Sequence, residues 1–215
     1  MSSAAPSTDP SAAGGARTDA RRRPQQQRSR AKVDAILAAA NALVADLGAD
    51  ALTTTLVAER AGVAVGSLYQ YFDGVPAIVE ALVAHHAELF GEHLRVHLTN
   101  VTFTRKRDAA NAALDALISY YRSDAAFRAL WHSAPRVTGA GFGDAGEMLI
   151  GIITQSLQDH DLFDPHDRNY EREAKVQWAV ATALIQVAFQ MDPEGDVAVL
   201  SHLRRLFALD VRPPA

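Results

Sequence analysis

The amino-acid sequence predicts an all-α protein. Apolar residues recur at three- and four-residue steps along most of the 215-residue chain, the spacing that places side chains on one face of a helix. Alternation of apolar and polar residues does not extend convincingly beyond four positions, so strands are not predicted. Glycine and proline interrupt the helical period at intervals, which divides the chain into several helices around a shared core.

Composition excludes several classes of protein. With 48% hydrophobic and 21% charged residues, the chain can bury a sizeable core. It has no cysteine, which excludes disulfides, thiolate metal sites and a cysteine nucleophile. The sequence lacks an apolar run of about 18 residues and an apolar signal segment, so we expect a cytoplasmic protein with no membrane partner.

Charge is distributed unevenly along the chain. The net charge of −4 by itself disfavours nucleic acid as a partner. Residues 1–32, however, hold seven basic and two acidic residues, a net charge of +5, whereas the rest of the chain carries −9. A basic arm on an acidic body is typical of a protein that contacts phosphate with one end. A solvated, flexible tail is the alternative interpretation.

The first half of the chain separates into an arm and four helices. Residues 1–27 are rich in Ser, Ala, Pro, Gly and Gln, and we expect them to be disordered. A helical period runs from 29 to 47 and ends at a glycine. Short helices at 54–61 and 67–72, joined by a glycine-containing link, predict a helix-turn-helix. A longer helix follows at 76–98, with an aspartate as its cap and a proline in its first turn.

The second half is predicted as further helices, at 105–123, 125–134, 144–160, 167–191 and 195–209. The glycines between 139 and 146 mark a loop. The helical pattern therefore predicts a basic arm (1–27), a three-helix unit of the helix-turn-helix type (28–75) and a larger helical domain (76–215).

The short helices have the residue types that a helix-turn-helix requires. Small residues at 58, 61 and 63 let two helices cross closely. Leu68 and Phe72 are four residues apart and should face inward. This leaves Ser67, Gln70 and Tyr71 pointing outward, where polar tips can reach base edges and phosphates in the major groove.

The segment 52–82, LTTTLVAERAGVAVGSLYQYFDGVPAIVEAL, resembles the amino-terminal DNA-binding domain of the TetR family of transcriptional regulators. The residues that match the family pattern are Thr53, Val57-Ala58, Ala61-Gly62-Val63, Gly66, Leu68, Tyr69 and Phe72. The helix 31–47 also matches, so the resemblance covers about 50 residues. Beyond them, only the length and the helical pattern fit.

This resemblance implies a bacterial, ligand-responsive repressor. It would bind a palindromic operator in double-stranded DNA and release it when a small molecule binds the larger domain. Gln70 can pair with adenine, Ser67 suits a phosphate or a base, and the arm would contact the minor groove. The predicted DNA-binding residues are Arg28, Arg30, Thr53, Thr54, Thr55, Val65, Gly66, Ser67, Tyr69, Gln70 and Tyr71.

Three positions depart from the family pattern. Val75 stands where a phosphate-binding lysine is common, and Leu56 stands where an acidic residue often completes the capping box. Val65 offers only apolar contact, for example to a thymine methyl. These departures motivate the alternative that the chain is a dimeric ligand- or protein-binding module that has lost specific DNA reading.

The resemblance also implies a homodimer and an inducer, and the larger domain supplies residues for both. The helix 167–191 is apolar nearly all round, as expected for burial on two sides. Predicted dimerisation residues are Val176, Ala179, Val180, Ala183, Leu184, Val187, Leu200, Leu203 and Phe207. Predicted walls of a largely apolar ligand pocket are His86, Phe90, Leu117, Tyr121, Phe127, Leu130, Trp131 and Trp178. Each of these residues could instead be ordinary core.

Other motifs are weak. A Gly-x-Gly-x-x-Gly pattern at 141–146 matches a dinucleotide fingerprint but follows no predicted strand. His93 and His97 are four residues apart but lack a firm third ligand. The sequence has no nucleophile elbow. We therefore predict no enzymatic activity, no catalytic residue, no metal and no cofactor.

Overall fold

The computed structural model describes residues 15–138, 143–164, 166–167 and 169–208, with side chains from residue 27 to 133 and from 146 to 207 apart from 165 and 168. The described backbone is helical and contains no strand, which confirms the all-α prediction. Within those residues, no helix is long and apolar enough to cross a membrane. The helices are α1 (Gly15–Leu47), α2 (Thr54–Ala61), α3 (Val65–Leu68), α4 (Gly74–Thr99), α5 (Lys106–Ser123), α6 (Ala125–Thr138), α7 (Gly143–Asp159), α8 (Tyr170–Met191) and α9 (Val197–Ala208).

Helix α1 is longer than predicted. It begins at Gly15 rather than near residue 29, so residues 15–27 are helical where we expected disorder. Residues 1–14 of the predicted arm lie outside the described part. The segment 15–27 is rich in Ala, Arg and Gln, which favour helix without any apolar face. A prediction based on apolar period therefore misses it.

The buried side chains form two clusters. The first cluster, which we call the head core, fills the space between α1, α2, α3 and the start of α4. Its described buried members are Ile36, Ala40, Leu43, Val44, Ala49, Leu52, Val57, Ala58, Leu68, Phe72, Ile78, Val79, Leu82, Ala126 and Leu130. The second cluster, the body core, lies among the end of α4 and helices α5 to α9.

Helix α6 belongs to both cores. Ala126 and Leu130 are buried in the head core, whereas Phe127 and Trp131 are buried in the body core. Buried Ser133 adds a polar contact, because its Oγ accepts a hydrogen bond from the backbone N–H of Ala49 at 3.3 Å. The head core therefore does not end at residue 75, the boundary that we predicted between the two domains.

Candidate functional site

The start of α2 is fixed by a side-chain cap. The Thr53 hydroxyl accepts a hydrogen bond from the backbone N–H of Leu56 at 3.2 Å. This satisfies one of the free N–H groups at the helix start. Because position 56 is leucine, it cannot return a hydrogen bond to the Thr53 backbone. The cap therefore consists of one hydrogen bond rather than the reciprocal pair of a capping box, as the sequence suggested.

A left-handed glycine turns the chain from α2 into α3. Gly62 has φ 67° and ψ 30°, a conformation that glycine adopts without a steric penalty. Helix α3 is shorter than the predicted 67–72 and has only four residues. Turn hydrogen bonds continue as far as Phe72, whose N–H donates to the Leu68 carbonyl at 3.0 Å. Leu68 and Phe72 are both buried, as predicted.

Polar side chains remain on the outer face of this unit. Ser67 is half-buried and Gln70 is exposed, while Tyr69 is 53% exposed. The Tyr69 and Thr54 hydroxyls are 3.3 Å apart, which brings α3 and the start of α2 to one hydroxyl-rich edge. The other predicted DNA-binding residues of the unit, Thr53, Thr55, Val65 and Gly66, are also exposed.

Tyr71 is a correction to the prediction. We expected it to point outward, but it is half-buried and packs against the head core. Tyr69, the other tyrosine of the motif, is the exposed one of the pair. In the arm, Arg28 and Arg30 lie exposed on α1. Both residues therefore lie on a helix rather than in the disordered arm that we predicted up to residue 27.

Several predicted ligand residues gather in one aromatic cluster. The Phe127 ring lies 5.8 Å from Phe90, 5.3 Å from Tyr121 and 5.3 Å from Trp131, measured between ring centroids. Trp131 in turn lies 5.9 Å from Trp178. Leu117 is buried in the same body core. We call Phe90, Tyr121, Phe127, Trp131 and Trp178 the aromatic cluster. The prediction missed Phe189, whose ring is 5.0 Å from Tyr121.

The Tyr121 hydroxyl is the unusual group in the aromatic cluster. It is fully buried and has no hydrogen-bond partner among the described residues. Burial raises its pKa far above the usual value of 10, while nearby Arg128 lowers it by less. The neutral phenol is thus a donor and an acceptor held in apolar surroundings. Burial also raises the pKa of the neighbouring Tyr120 to about 12.

Two predicted ligand residues have other contacts. The Leu130 side chain belongs to the head core, because it projects from the opposite side of α6. His86 is buried, but its Nε2 is 2.7 Å from the Asn41 Oδ1 atom of α1. This nitrogen is therefore already engaged with the DNA-binding unit. The two described surface grooves follow α7 and α8 around Glu171 and Lys175, and none of the predicted ligand residues lines either one.

The outer face of α8 carries an exposed apolar stripe. Val176, Val180 and Val187 are 59%, 37% and 41% exposed, and Ala179 and Ala183 lie between them. Leu184 and Phe207 are half-buried against the body core. Leu200 and Leu203 are a correction, because both are buried in the core of their own chain. They are not available to a second subunit.

The weak motifs have structural explanations. His93 donates or accepts a hydrogen bond with the Ser119 hydroxyl at 2.8 Å, and its ring lies 4.5 Å from that of His97. No group of three potential metal ligands occurs among the described residues. Gly146 lies in α7, and a Cβ there would come within 2.7 Å of the Trp178 Nε1 atom. This glycine permits close helix packing. Gly141 lies outside the described residues.

These features define the class of protein. A capped helix, a left-handed glycine and a short second helix place polar side chains on the outside of a small aliphatic core. This is a helix-turn-helix DNA-binding domain, joined to a larger helical domain.

The amino-terminal domain matches a known family. Residues 36–82 match the family model "Bacterial regulatory proteins, tetR family". The structure resembles a TetR-family transcriptional regulator from Streptomyces coelicolor with a TM-score of 0.68 and 28% identity, over 82% of this chain and 95% of that one. No curated protein matches the chain. Residues 36–82 therefore form a DNA-binding domain of the TetR family, and the whole chain has the fold of a TetR-family transcriptional regulator.

Two further structures have the same fold. The fatty acid degradation regulator FadR from Bacillus halodurans has a TM-score of 0.62 at 15% identity, over 85% of this chain and 97% of that one. RolR in complex with resorcinol has a TM-score of 0.59 at 19% identity, over 89% of this chain and 98% of that one. At such identities the similarity concerns the fold alone.

Proposed function

We propose that this protein is a homodimeric, ligand-responsive repressor that acts on a palindromic operator in the cytoplasm. The observation that carries the proposal is the outer face of the helix-turn-helix. Exposed Gln70 and Tyr69 lie there beside the hydroxyls of the α2 start, while Leu68 and Phe72 behind them are buried. Gln70 reads adenine, and the hydroxyl groups contact backbone phosphates.

The dimer is proposed from the exposed stripe on α8. Contiguous apolar residues on the surface of a soluble domain mark interaction sites. Val176, Val180 and Val187 repeat at helical spacing, and the small residues between them permit close approach of a second helix. Two-fold symmetry then matches a palindrome, with half-sites about one helical turn, roughly 34–36 Å, apart.

The ligand response is proposed from the aromatic cluster. Its rings favour an aromatic effector, and the Tyr121 hydroxyl supplies a polar group that such an effector can bind. RolR, which shares the fold, is described in complex with resorcinol, an aromatic diol. Phe127 and Trp131 lie on α6, which also enters the head core, so displacement of α6 would move the DNA-binding unit. The effector must bind the released state more tightly, typically by about 1–3 kcal/mol.

The alternative is a dimeric binding module without specific DNA reading. It is favoured by Val75, which is half-buried where a phosphate-binding lysine is common, and by the four-residue length of α3. In that case the protein would bind DNA weakly and without sequence preference.

Selection from random duplex DNA, followed by affinity measurements at two salt concentrations, separates the two. An enriched palindrome that binds far more tightly than bulk DNA supports the repressor. Gln70→Ala should then weaken specific binding by about 1–3 kcal/mol. Gln155→Ala, an exposed glutamine of α7, is the control and should leave it unchanged. Salt-sensitive binding of equal strength to all sequences would support the alternative.

The arm is tested in the same assay. Deleting residues 1–28 removes five of the basic residues of the amino-terminal segment. If these residues bind phosphates, affinity for all sequences weakens and the salt dependence becomes shallower, by roughly 0.9 in log–log slope for each phosphate that is no longer neutralised. An unchanged slope would show that the arm does not bind DNA.

A further inference from the structure

A partly buried polar chain centred on His86 connects the DNA-binding unit to the larger domain. It consists of Asn41 in α1, His86 in α4 and Asp124, which immediately precedes α6. The His86 side chain is almost completely buried. Its Nε2 atom lies 2.7 Å from the Asn41 Oδ1 atom, and its Nδ1 atom lies 3.6 Å from the Asp124 Oδ2 atom. Three helices therefore meet at one imidazole ring.

The hydrogen bond assigns the tautomer of the ring. The Asn41 Oδ1 atom can only accept, so the His86 Nε2–H donates to it. Burial lowers the pKa of His86 below its usual 6.5, and this outweighs the opposing charge of Asp124; neighbouring His85 lowers the pKa further. The ring is thus neutral at pH 7, and its single N–H is committed to α1.

Asp124 connects the same ring to α6. Its Oδ1 atom accepts a hydrogen bond from the Phe127 N–H at 2.8 Å, which caps the start of α6. Its Oδ2 atom lies 3.6 Å from the unprotonated His86 Nδ1 atom, which makes no hydrogen bond among the described residues, so Asp124 and His86 are in contact only. The Phe127 ring lies 6.0 Å from the imidazole. A displacement of the α6 start therefore changes the surroundings of His86, which is hydrogen-bonded to Asn41 of α1.

The remaining contacts between α1 and α4 are mainly apolar. Ile36, Ala40 and Val44 of α1 and Ile78, Val79 and Leu82 of α4 share the head core. Apolar contacts are not directional, so they tolerate sliding of one helix along the other. The short hydrogen bond from His86 to Asn41 is directional, and a shift of α1 along α4 would leave the buried Nε2–H without an acceptor.

We propose that the hydrogen bond from His86 to Asn41 fixes the orientation of the DNA-binding unit on the larger domain, with His86 as a positioning residue for DNA recognition. The proposal rests on the proposed function for its effect on DNA. The coupling between α1 and α4 can be tested without DNA.

Two variants break the chain and one preserves it. His86→Leu removes the donor, and Asn41→Ala removes the acceptor while leaving His86 in place. His86→Gln keeps an N–H at about the reach of Nε2 but has no titrating ring. His93→Leu is the matched control. It lies two turns further along α4 and removes a similar hydrogen bond, that to Ser119, but this bond stays within the larger domain.

Hydrogen–deuterium exchange of the full chain is the first measurement. We expect amides of α1 to exchange about tenfold faster in His86→Leu and Asn41→Ala than in His93→Leu, because the missing interaction is worth on the order of one hydrogen bond. His86→Gln should return to the wild-type rate. Equal α1 exchange in Asn41→Ala and His93→Leu would overturn the proposal, even if His86→Leu fails to fold.

DNA affinity is the second measurement, on the duplex obtained by selection. Specific affinity should fall about tenfold in His86→Leu and Asn41→Ala, recover in His86→Gln and remain unchanged in His93→Leu. Unchanged affinity in Asn41→Ala would overturn the role in DNA recognition. If selection yields no specific duplex, the proposed function fails, whereas the exchange measurement still decides whether the chain couples the two parts.

Discussion

The two cores of this protein differ in chemistry. The head core is almost entirely aliphatic, and Phe72 is the one aromatic residue among its described buried members. The body core contains seven, namely Phe90, Phe103, Tyr120, Tyr121, Phe127, Trp131 and Phe189. The body core also holds the Tyr121 hydroxyl, which has no partner in the described part of the chain.

This difference corresponds to two tasks. A small aliphatic core with a capped helix and a fixed glycine turn holds a rigid surface, which suits a unit that must present the same side chains to DNA at every encounter. An aromatic core with an unsatisfied polar group can gain interactions when another molecule enters it. In the proposed function, the rigid DNA-reading surface and the ligand-responsive core therefore lie in separate parts of one small chain.

The largest expected effects come from cavities made in each core. Leu68→Ala in the head core and Leu117→Ala in the body core should each lower the free energy of unfolding by about 2–5 kcal/mol. Both leucines are fully buried or nearly so. Because α6 is shared, we expect one unfolding transition, monitored by urea denaturation with tryptophan fluorescence. The only tryptophans, Trp131 and Trp178, report on the body core.

Independent cores would give a different result. Leu68→Ala would then leave the tryptophan transition in place, while circular dichroism would show an earlier loss of helix. That outcome would refute the cooperative coupling that we attribute to α6.

A smaller effect is expected at the cap of α2. Thr53→Ala removes the hydrogen bond to the Leu56 N–H and should cost about 1 kcal/mol of unfolding free energy, measured by thermal denaturation. Thr55→Ala, in the same turn, is the control and should stay within about 0.5 kcal/mol of wild type. Equal losses of unfolding free energy in both variants would mean that the cap does not stabilise the DNA-binding domain.

The Tyr121 hydroxyl gives an effect of similar size and opposite sign. Tyr121→Phe removes a buried group that lacks a partner, so the free energy of unfolding should rise by about 1 kcal/mol. Tyr170→Phe is the matched comparison. Its hydroxyl accepts a hydrogen bond from Thr154 at 3.0 Å, so its removal should destabilise the protein. A loss of stability in Tyr121→Phe would show that the hydroxyl is satisfied in solution.

The smallest effect expected is that of pH. The pKa of His86 is lowered by burial, so below its usual value of 6.5 the unfolded chain binds a proton that the folded protein excludes. The free energy of unfolding should therefore fall as pH decreases from 6.5 towards the folded-state pKa. The pKa of His93 is lowered by burial and by His97, and it contributes with the same sign.

Comparing variants separates the two histidines. In His86→Gln the pH dependence of the unfolding free energy below 6.5 should be shallower than in wild type, and His93→Gln should show its own smaller change. An identical pH profile in wild type and His86→Gln would mean that the folded protein accepts the proton at this position.

The helix positions and the helix-turn-helix were predictable from the sequence because both depend on local signals. The bounds of α2 follow from Thr53 and Gly62, and the inward positions of Leu68 and Phe72 follow from their spacing. The exposure of Tyr71 was predicted wrongly. Tyr71 lies three positions after buried Leu68, so it shares the inward face and packs against the head core.

The larger domain was less predictable because its contacts are long-range. An apolar stripe looks the same whether it meets its own chain or another, so Leu200 and Leu203 were placed at the dimer interface although they are buried in the chain. The partner of His86 lies 45 residues earlier in the sequence, and no local spacing indicates it. The aromatic cluster was partly found because bulky aromatic residues concentrate in the apolar parts of helices.

The sharing of α6 between the cores has a consequence for building chimeric regulators. A graft that joins residues 15–99 to a foreign larger domain would keep the α4 residues of the head core but omit Ala126 and Leu130, which close that core from outside the segment. The transplanted unit would have a cavity where Ala126 and Leu130 pack against the head core. It would also lack the hydrogen bond between Ala49 and Ser133. The smallest transferable unit of this protein is therefore discontinuous in sequence, and exchange of recognition specificity is better done by replacing exposed side chains than by cutting the chain.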